Sequence, residues 1–362
     1  MKPLTIIAEA GVNHDGSLEK ALALVEVAAR AGADVVKFQI FHADALASRR
    51  AELAPYQESG TETTDQVEML RQLELGRDDF LRILAECRRL GIAFAATPFD
   101  PSSLEFLDRE LDPPFIKIGS GDLTNAPLLF AAARTGRRII LSTGMAVLEE
   151  VRDAVGVLGY GLMGEAPGVD ADFGAWVEDK VLRADLARRV TLLHCTTAYP
   201  TPMEGVNLRA METLADRFGL PVGYSDHTIG ADASLAAVSK GACVIEKHFT
   251  LDKTASGPDH NASLDPDELA DFVSRIRAVQ EALGDGLKQP DAVEQENIMA
   301  ARRSLTACQA IAAGEFFSDS NLTVKRPQAG LSPFAYWRLL GRPAKRSYAP
   351  DEAIEPGELR DE

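Results

Sequence analysis

Eight short apolar segments alternate with amphipathic stretches along most of this 362-residue chain, and that repeat restricts the fold more than any other feature. The apolar segments are 5–11, 35–41, 93–99, 115–120, 138–144, 190–197, 221–227 and 243–250. Helical periodicity marks 17–31, 78–90, 207–218, 231–240 and 265–283. Strands separated by helices predict a parallel sheet, and eight such units are the number that closes a TIM (β/α)₈ barrel. A doubly wound open sheet is the competing arrangement. Its glycine-rich phosphate fingerprint is absent after the first strand, where AEAGVNHDG stands in place of GxGxxG.

The rest of the chain divides around that repeat. The fifth connection, 160–189, is unusually long and is expected to be an excursion over one edge of the barrel. A polar stretch, GDGLKQPDAVEQEN, reads as a linker, and a Gly- and Pro-punctuated module follows. The expected organisation is a barrel at 1–284, a linker at 285–301, a small module at 302–350 and an acidic tail at 351–362. About 50 residues make a marginal core, so the module needs support from the barrel or a partner subunit.

Charge follows the same division. The net charge is −17, which argues against a nucleic-acid surface, since phosphate backbones require clustered Lys and Arg. Residues 300–349 hold eight Lys/Arg against two Asp/Glu, a balance of +6, and residues 350–362 carry −5, which leaves −18 on the first 299 residues. Apolar runs fall short of the roughly 18 residues needed to span a bilayer. MKPLTIIAEAG is a poor secretory signal, so a cytoplasmic protein with no membrane partner is expected. Cys87, Cys195, Cys243 and Cys308 are scattered, as reduced thiols usually are.

Functional groups of a barrel gather where strands end. Here nearly every expected strand ends in polar residues: Glu9; Lys37 and Gln39; Thr97; Lys117 and Ser120; Ser142 and Thr143; Thr196 and Thr197; Ser225 and His227; Glu246 and His248. Side chains alternate faces with period two, so Lys37 shares a face with Gln39, Ser225 with His227, and Glu246 with His248. His227 and His248 on neighbouring strands could offer two imidazole nitrogens to one divalent ion. The bland alternative is a hydrogen-bonded core pair. Lys37 and Lys117 directed into one mouth repel unless an anion lies between them, and a phosphate or carboxylate is the natural occupant. Glu9 is costly to bury alone and needs a cation or a metal-bound water. Asp259, in the Gly257–His260 turn GPDH, faces either a substrate hydroxyl or solvent.

These residues lie in longer stretches that resemble the sialic acid synthases: IIAEAGVNHDG, VVKFQ, ATPFD, FIKIGSGD, IILSTGM, LLHCTTAYPTP, GYSDHTIG, VIEKHFTLD, GPDH and VKRP, running in the family's order from residue 6 to residue 327. The resemblance implies a TIM barrel followed by an antifreeze-protein-like module of the SAF, β-clip type, in a domain-swapped homodimer whose module caps the partner's barrel. It implies condensation of phosphoenolpyruvate with an N-acetylated aldose and water, giving a nine-carbon 2-keto acid and phosphate. The implied cofactor is Mn²⁺, with Mg²⁺ or Co²⁺ as alternatives.

Carried over motif by motif, the resemblance makes His227 and His248 the metal ligands. Lys37, Thr97, Lys117, Ser120, Ser142 and Ser225 become the phosphoenolpyruvate site, and Glu9 meets metal-bound water or the reacting groups. Gln39, Thr197, Tyr199 and Asp259 fall on the sugar side, joined by Arg326 from the partner subunit. The first expectation for the sugar is N-acetylmannosamine, which makes the product N-acetylneuraminate. Two departures, Thr197 where some members carry Asn and YGLMGE in the fifth connection, keep a second substrate open. It is the diacetylated 6-deoxy sugar from which relatives make legionaminic acid. A metal-free Schiff-base aldolase using a strand-end lysine and a binding protein without turnover are the competing classes.

Overall fold

A computed structural model of the protein describes residues 4–48 and 65–360. It divides into two compact units, Met1–Asp285 and Gly286–Glu362. In the first, eight parallel strands follow one another: β1 Thr5–Gly11, β2 Val35–Ile40, β3 Ala93–Pro98, β4 Ile116–Ile118, β5 Ile139–Ser142, β6 Val190–Cys195, β7 Val222–Asp226 and β8 Val244–His248. Each lies within one of the expected segments. Hydrogen-bonded pairing runs β3-β2-β1-β8-β7-β6-β5-β4, and β3 and β4 approach each other to bring the sheet round to a nearly closed barrel.

Helices alternate with the strands: α1 Leu18–Ala31, α2 Arg77–Leu90, α3 Pro101–Phe106, α4 Ala126–Arg134, α5 Leu148–Met163, α6 Arg209–Phe218, α7 Asp232–Ser239 and α8 Pro266–Ala282. Their ends carry the local signals that stop and start a helix. Ser17 caps α1 by accepting from the Lys20 amide, and Gly32 closes it in the left-handed conformation at φ 80°. Asp265 and Glu268 form a capping box on α8, with Pro266 at its first position.

Strand alternation builds two cores. Residues facing outward pack with the helices, led by Ile6, Val36, Phe94, Leu141, Leu192, Tyr224 and Ile245. Facing inward, Ile7, Val35, Ala95, Phe115, Ile140, Leu193 and Val244 form a separate apolar layer inside the barrel. Two residues further along each strand, the inward row becomes Glu9, Lys37, Thr97, Lys117, Ser142, Cys195 and Glu246. The apolar layer is therefore a plug beneath a polar cup.

The fifth connection does not lie over the mouth. Trp176 packs against α5, so closely that a Cβ at Gly159 would come 2.1 Å from its ring, and Tyr160 meets both Phe173 and Trp176 edge-on. None of residues 164–189 lines the barrel cavity. A short helix, Gln66–Leu73, in the connection after β2 does, although no sequence signal marked it.

In the second unit, β9 Ser304–Ala307 pairs antiparallel with β10 Leu322–Lys325. Leu305, Ala307, Ile311, Phe317, Leu339, Tyr348 and Ile354 form its own core. The expected acidic tail is corrected here as far as residue 360, where the described residues end. Ile354 is fully buried, its amide bonds the Leu305 carbonyl, and the Tyr348 hydroxyl donates to Glu358 at 2.7 Å. The acidic side chains decorate a segment whose apolar residues complete the core. Within the stretch read as a linker, a short helix Gln295–Ala301 forms and stays exposed. Among the described residues no helix is long and apolar enough to cross a membrane.

Candidate active site

The polar cup encloses a cavity of about 390 Å³. Thirteen of the expected site residues line it: Glu9, Lys37, Gln39, Thr97, Lys117, Ser120, Ser142, Thr197, Tyr199, Ser225, His227, His248 and Asp259. The fourteenth, Arg326, belongs to the second unit and is exposed there.

Two lysines make the floor. Lys37 Nζ lies 2.5 Å from Glu9 Oε2 and 3.3 Å from the Thr97 hydroxyl, while Lys117 Nζ donates to Ser142 Oγ at 2.8 Å. Between the lysines stands Glu246, 3.7 Å from Lys37 and 3.5 Å from Lys117, and it also accepts from Ser225 Oγ at 3.1 Å. The anion expected between the lysines is therefore already partly supplied by the chain's own carboxylate. Sequence parity put Glu246 on the inward face but could not show that β2, β4 and β8 converge on it. All four charged groups are buried.

Burial and charge pull these groups in different directions. Burial raises the Glu9 carboxyl well above the usual carboxylate range despite the nearby lysine. Glu246 is held low because Lys117 and Lys37 together outweigh its burial. Lys37 is raised by its two carboxylate neighbours against the opposing effect of burial, whereas Lys117 is lowered by burial. With its carboxyl raised to about 7, Glu9 can hold or release a proton near neutral pH, and in either state the two lysines of the floor face no more than two carboxylate charges.

Hydroxyls and one amide surround the floor. Ser120 Oγ accepts from the Gly144 amide at 3.0 Å and meets Cys195 Sγ at 3.1 Å. The Thr197 hydroxyl is buried without a hydrogen-bond partner. Gly144 fits because it lacks a side chain: a Cβ would come 2.4 Å from Thr197 Oγ1 and 2.8 Å from both Cys195 Sγ and Ser120 Oγ. At the end of β1, Gly11 plays a similar part at φ 54°, with Glu9, Gln39 and Asp259 all within 3.4 Å of where its Cβ would stand.

The two histidines line the same cavity. Their ring centroids are 5.5 Å apart, and Tyr199 lies 4.2 Å from the His227 ring. Nδ1 of His227 meets the Thr196 carbonyl at 2.7 Å, which selects the tautomer with its lone pair on Nε2. Nδ1 of His248 is buried with no hydrogen-bond partner and lies 3.6 Å from Asp259. Burial lowers both imidazoles, His248 far below its ordinary value, and raises the Asp259 carboxyl to about 6. Two neutral imidazoles, one an orphaned buried donor or acceptor, are what a divalent ion requires of histidine. Among the described residues no three His, Cys, Asp or Glu side chains are set to enclose an ion unaided. An ion held by this pair would take its other ligands from water or substrate.

The remaining histidines at this end are bonded within the protein: His260 bridges Asp15 and Thr250, and His194 meets the Val206 carbonyl. One wall escaped sequence reasoning altogether. Val12, Leu46, Ala47, Met69 and Leu70 give the cavity an apolar side next to its charged floor.

The strand ends of the barrel bring two lysines, two carboxylates, a ring of hydroxyls and an imidazole pair into one cavity, a donor set suited to an anionic substrate beside a divalent ion. The NeuB family model matches residues 24–288 and the SAF domain model matches residues 302–360. N,N'-diacetyllegionaminic acid synthase of Campylobacter jejuni is 47% identical over 98% of this chain and 99% of its own. Human N-acetylneuraminate-9-phosphate synthase is 34% identical over 97% of this chain and 91% of its own. Among solved structures, N-acetylneuraminic acid synthetase of Leptospira borgpetersenii, crystallised with citrate, is 35% identical, with a TM-score of 0.66 over 82% of this chain and 90% of that one. The chain belongs to the NeuB family.

Proposed function

We propose that this protein condenses phosphoenolpyruvate with a diacetylated 6-deoxy amino sugar and water, releasing phosphate and a nonulosonate of the legionaminate type. The observation that carries the reaction is the single cavity in which the Lys37–Glu246–Lys117 floor faces the His227–His248 pair. The choice of sugar moves away from N-acetylmannosamine, the first expectation, because the legionaminate synthase is 47% identical to this chain against 35% for the Leptospira N-acetylneuraminic acid synthetase and 34% for the human 9-phosphate synthase. The apolar wall of Val12, Leu46 and Met69 suits the acetamido methyls and the deoxy end of such a sugar better than a phosphate.

In this reading Lys37 and Lys117 hold the charged groups of phosphoenolpyruvate, while Ser120, Ser142, Thr97 and Ser225 orient its oxygens. Gln39, Thr197, Tyr199 and Asp259 meet the sugar. His227 and His248 would hold Mn²⁺, or Mg²⁺ or Co²⁺ in its place, and the ion would supply electrophilic assistance at the sugar's aldehyde. The C2=C3 π pair of phosphoenolpyruvate forms the bond from C3 to the aldehyde carbon, the aldehyde π pair moves to its oxygen, which takes up a proton, and water adds at the cationic C2. Glu9 sits where it can take that water's proton. Loss of phosphate by C–O cleavage then leaves the keto group. Arg326 would reach the site from a partner subunit in a domain-swapped homodimer.

Phosphate release measured with N-acetylmannosamine, its 6-phosphate and the diacetylated 6-deoxy sugar tests the assignment. The proposal predicts the highest kcat/KM for the last; a preference for either of the others reassigns the substrate. Borohydride trapping of an enzyme adduct in metal-free buffer would instead establish a Schiff-base aldolase.

A further inference from the structure

Immediately behind the two imidazoles, on the outward face of the same strands, lies a second charged pair that the reaction does not touch. Asp226 precedes His227 and Lys247 precedes His248, and the two are opposite each other in the β7–β8 register. Both are buried, with Lys247 Nζ 3.3 Å from Asp226 Oδ2. Strand parity turns them away from the cavity, and neither lines it.

Asp226 gathers three elements. Its Oδ1 accepts from the Thr228 amide at 2.8 Å and the Thr228 hydroxyl at 2.7 Å, and its Oδ2 accepts from Ser234 in the first turn of α7 at 2.6 Å. Lys247 donates in turn to the Thr228 carbonyl. Thr228 is thus held at its amide, its hydroxyl and its carbonyl. On the other side, the His227 carbonyl accepts from the Thr201 amide at 2.8 Å. The peptides flanking His227 have no freedom to turn without breaking this network, and the network is anchored on the strand that ends in His248.

Stability alone does not account for such a pair. Two buried charges cost about as much in lost hydration as they return in attraction, and apolar residues of similar volume commonly serve a fold equally well. What the pair supplies is position. We propose that Asp226 and Lys247 are positioning residues for the imidazole pair, setting the spacing and orientation in which His227 and His248 offer their nitrogens to a divalent ion. This rests on the metal reading given above.

The test uses the full-length protein with Mn²⁺ as the probe, comparing wild type with Asp226→Asn, Lys247→Met and the double variant Asp226→Leu/Lys247→Met. Mn²⁺ affinity is read by calorimetry without substrate, alongside Tm in chelator and the kcat and KM for phosphoenolpyruvate. Each single variant is expected to lower Mn²⁺ affinity 10- to 100-fold, the range typical of groups that orient metal ligands. The double variant is expected to recover Tm yet keep the weakened affinity, with kcat reduced and the KM for phosphoenolpyruvate within about twofold, because its lysines lie on β2 and β4. A double variant that binds Mn²⁺ like wild type would overturn the positioning role while leaving the metal reading in place. A double variant that does not fold while Lys247→Arg, which keeps the charge, loses Mn²⁺ affinity without losing Tm would still support it. Wild-type protein that binds no Mn²⁺ would overturn the metal reading and this inference together.

Discussion

Lys37 Nζ and Glu9 Oε2 stand 2.5 Å apart with both side chains only 2% exposed, so Lys37 is the chief counter-charge of Glu9, while Lys37 draws on Glu246 as well as Glu9. The two halves of the pair differ in what their loss leaves behind. Lys37→Met removes the nearest counter-charge of the buried Glu9, while Glu246 keeps Lys117 and Ser225, and should cost about 3–5 kcal/mol of stability. Glu9→Gln keeps the shape and removes only the ionisable group. It should leave Tm within a few degrees of wild type while lowering kcat by about 100-fold or more. Calorimetry and phosphate release separate the cases; equal destabilisation by both would mean that Glu9 serves the fold rather than the reaction.

Two glycines give a matched contrast between site and scaffold. A methyl at Gly144 meets Thr197, Cys195 and Ser120 inside the cavity, and a methyl at Gly159 meets Trp176 on the outside of the barrel. Overpacking of this kind typically costs about 1–3 kcal/mol. Gly144→Ala should raise the KM for phosphoenolpyruvate several-fold by displacing Ser120, whereas Gly159→Ala should lower Tm and leave that KM unchanged. Identical effects on KM would show that the Gly144 contact does not shape the site.

His14 supplies a pH dependence of stability that is independent of catalysis. It is 1% exposed, its Nδ1 accepts from the Gly16 amide at 3.1 Å, and burial lowers it to about 4 from an ordinary 6.5. Between those values the unfolded chain binds a proton that the folded protein does not, so stability is complete above pH 6.5 and falls as pH drops toward 4. The linkage amounts to about 3 kcal/mol across that window. His14→Gln, which retains an acceptor, should flatten the decline of Tm between pH 6.5 and 4. An unchanged slope would place the acid sensitivity elsewhere.

The site was legible in the sequence where period two alone decides it. Lys37, Lys117 and Glu246 reveal their inward direction by counting from an apolar neighbour two residues earlier, Val35, Phe115 and Val244. Glu246 was legible as inward-facing but not as the bridge between Lys37 and Lys117, because that contact exists only once β2, β4 and β8 curve round one axis. Met69 and Leu70 were hidden for a different reason: their helix interrupts a connection, where no repeat predicts which way an apolar residue turns. In the second unit, the six acidic residues of 351–362 masked Ile354, and a charge count has no means of registering one buried side chain. Trp176 lies in the connection read as an excursion over one edge of the barrel, and only the space left by Gly159 shows that it packs on α5.

In the proposed reaction one cavity holds both the phosphorylated acid and the ion. Crystals grown with Mn²⁺ and phosphoenolpyruvate, with data collected at the manganese absorption edge, test it most directly. An anomalous peak within bonding distance of His227 and His248 is expected, with phosphoenolpyruvate beside it on Lys37, Lys117 and Ser142. Manganese elsewhere, or phosphoenolpyruvate bound with both imidazoles left unliganded, would contradict it.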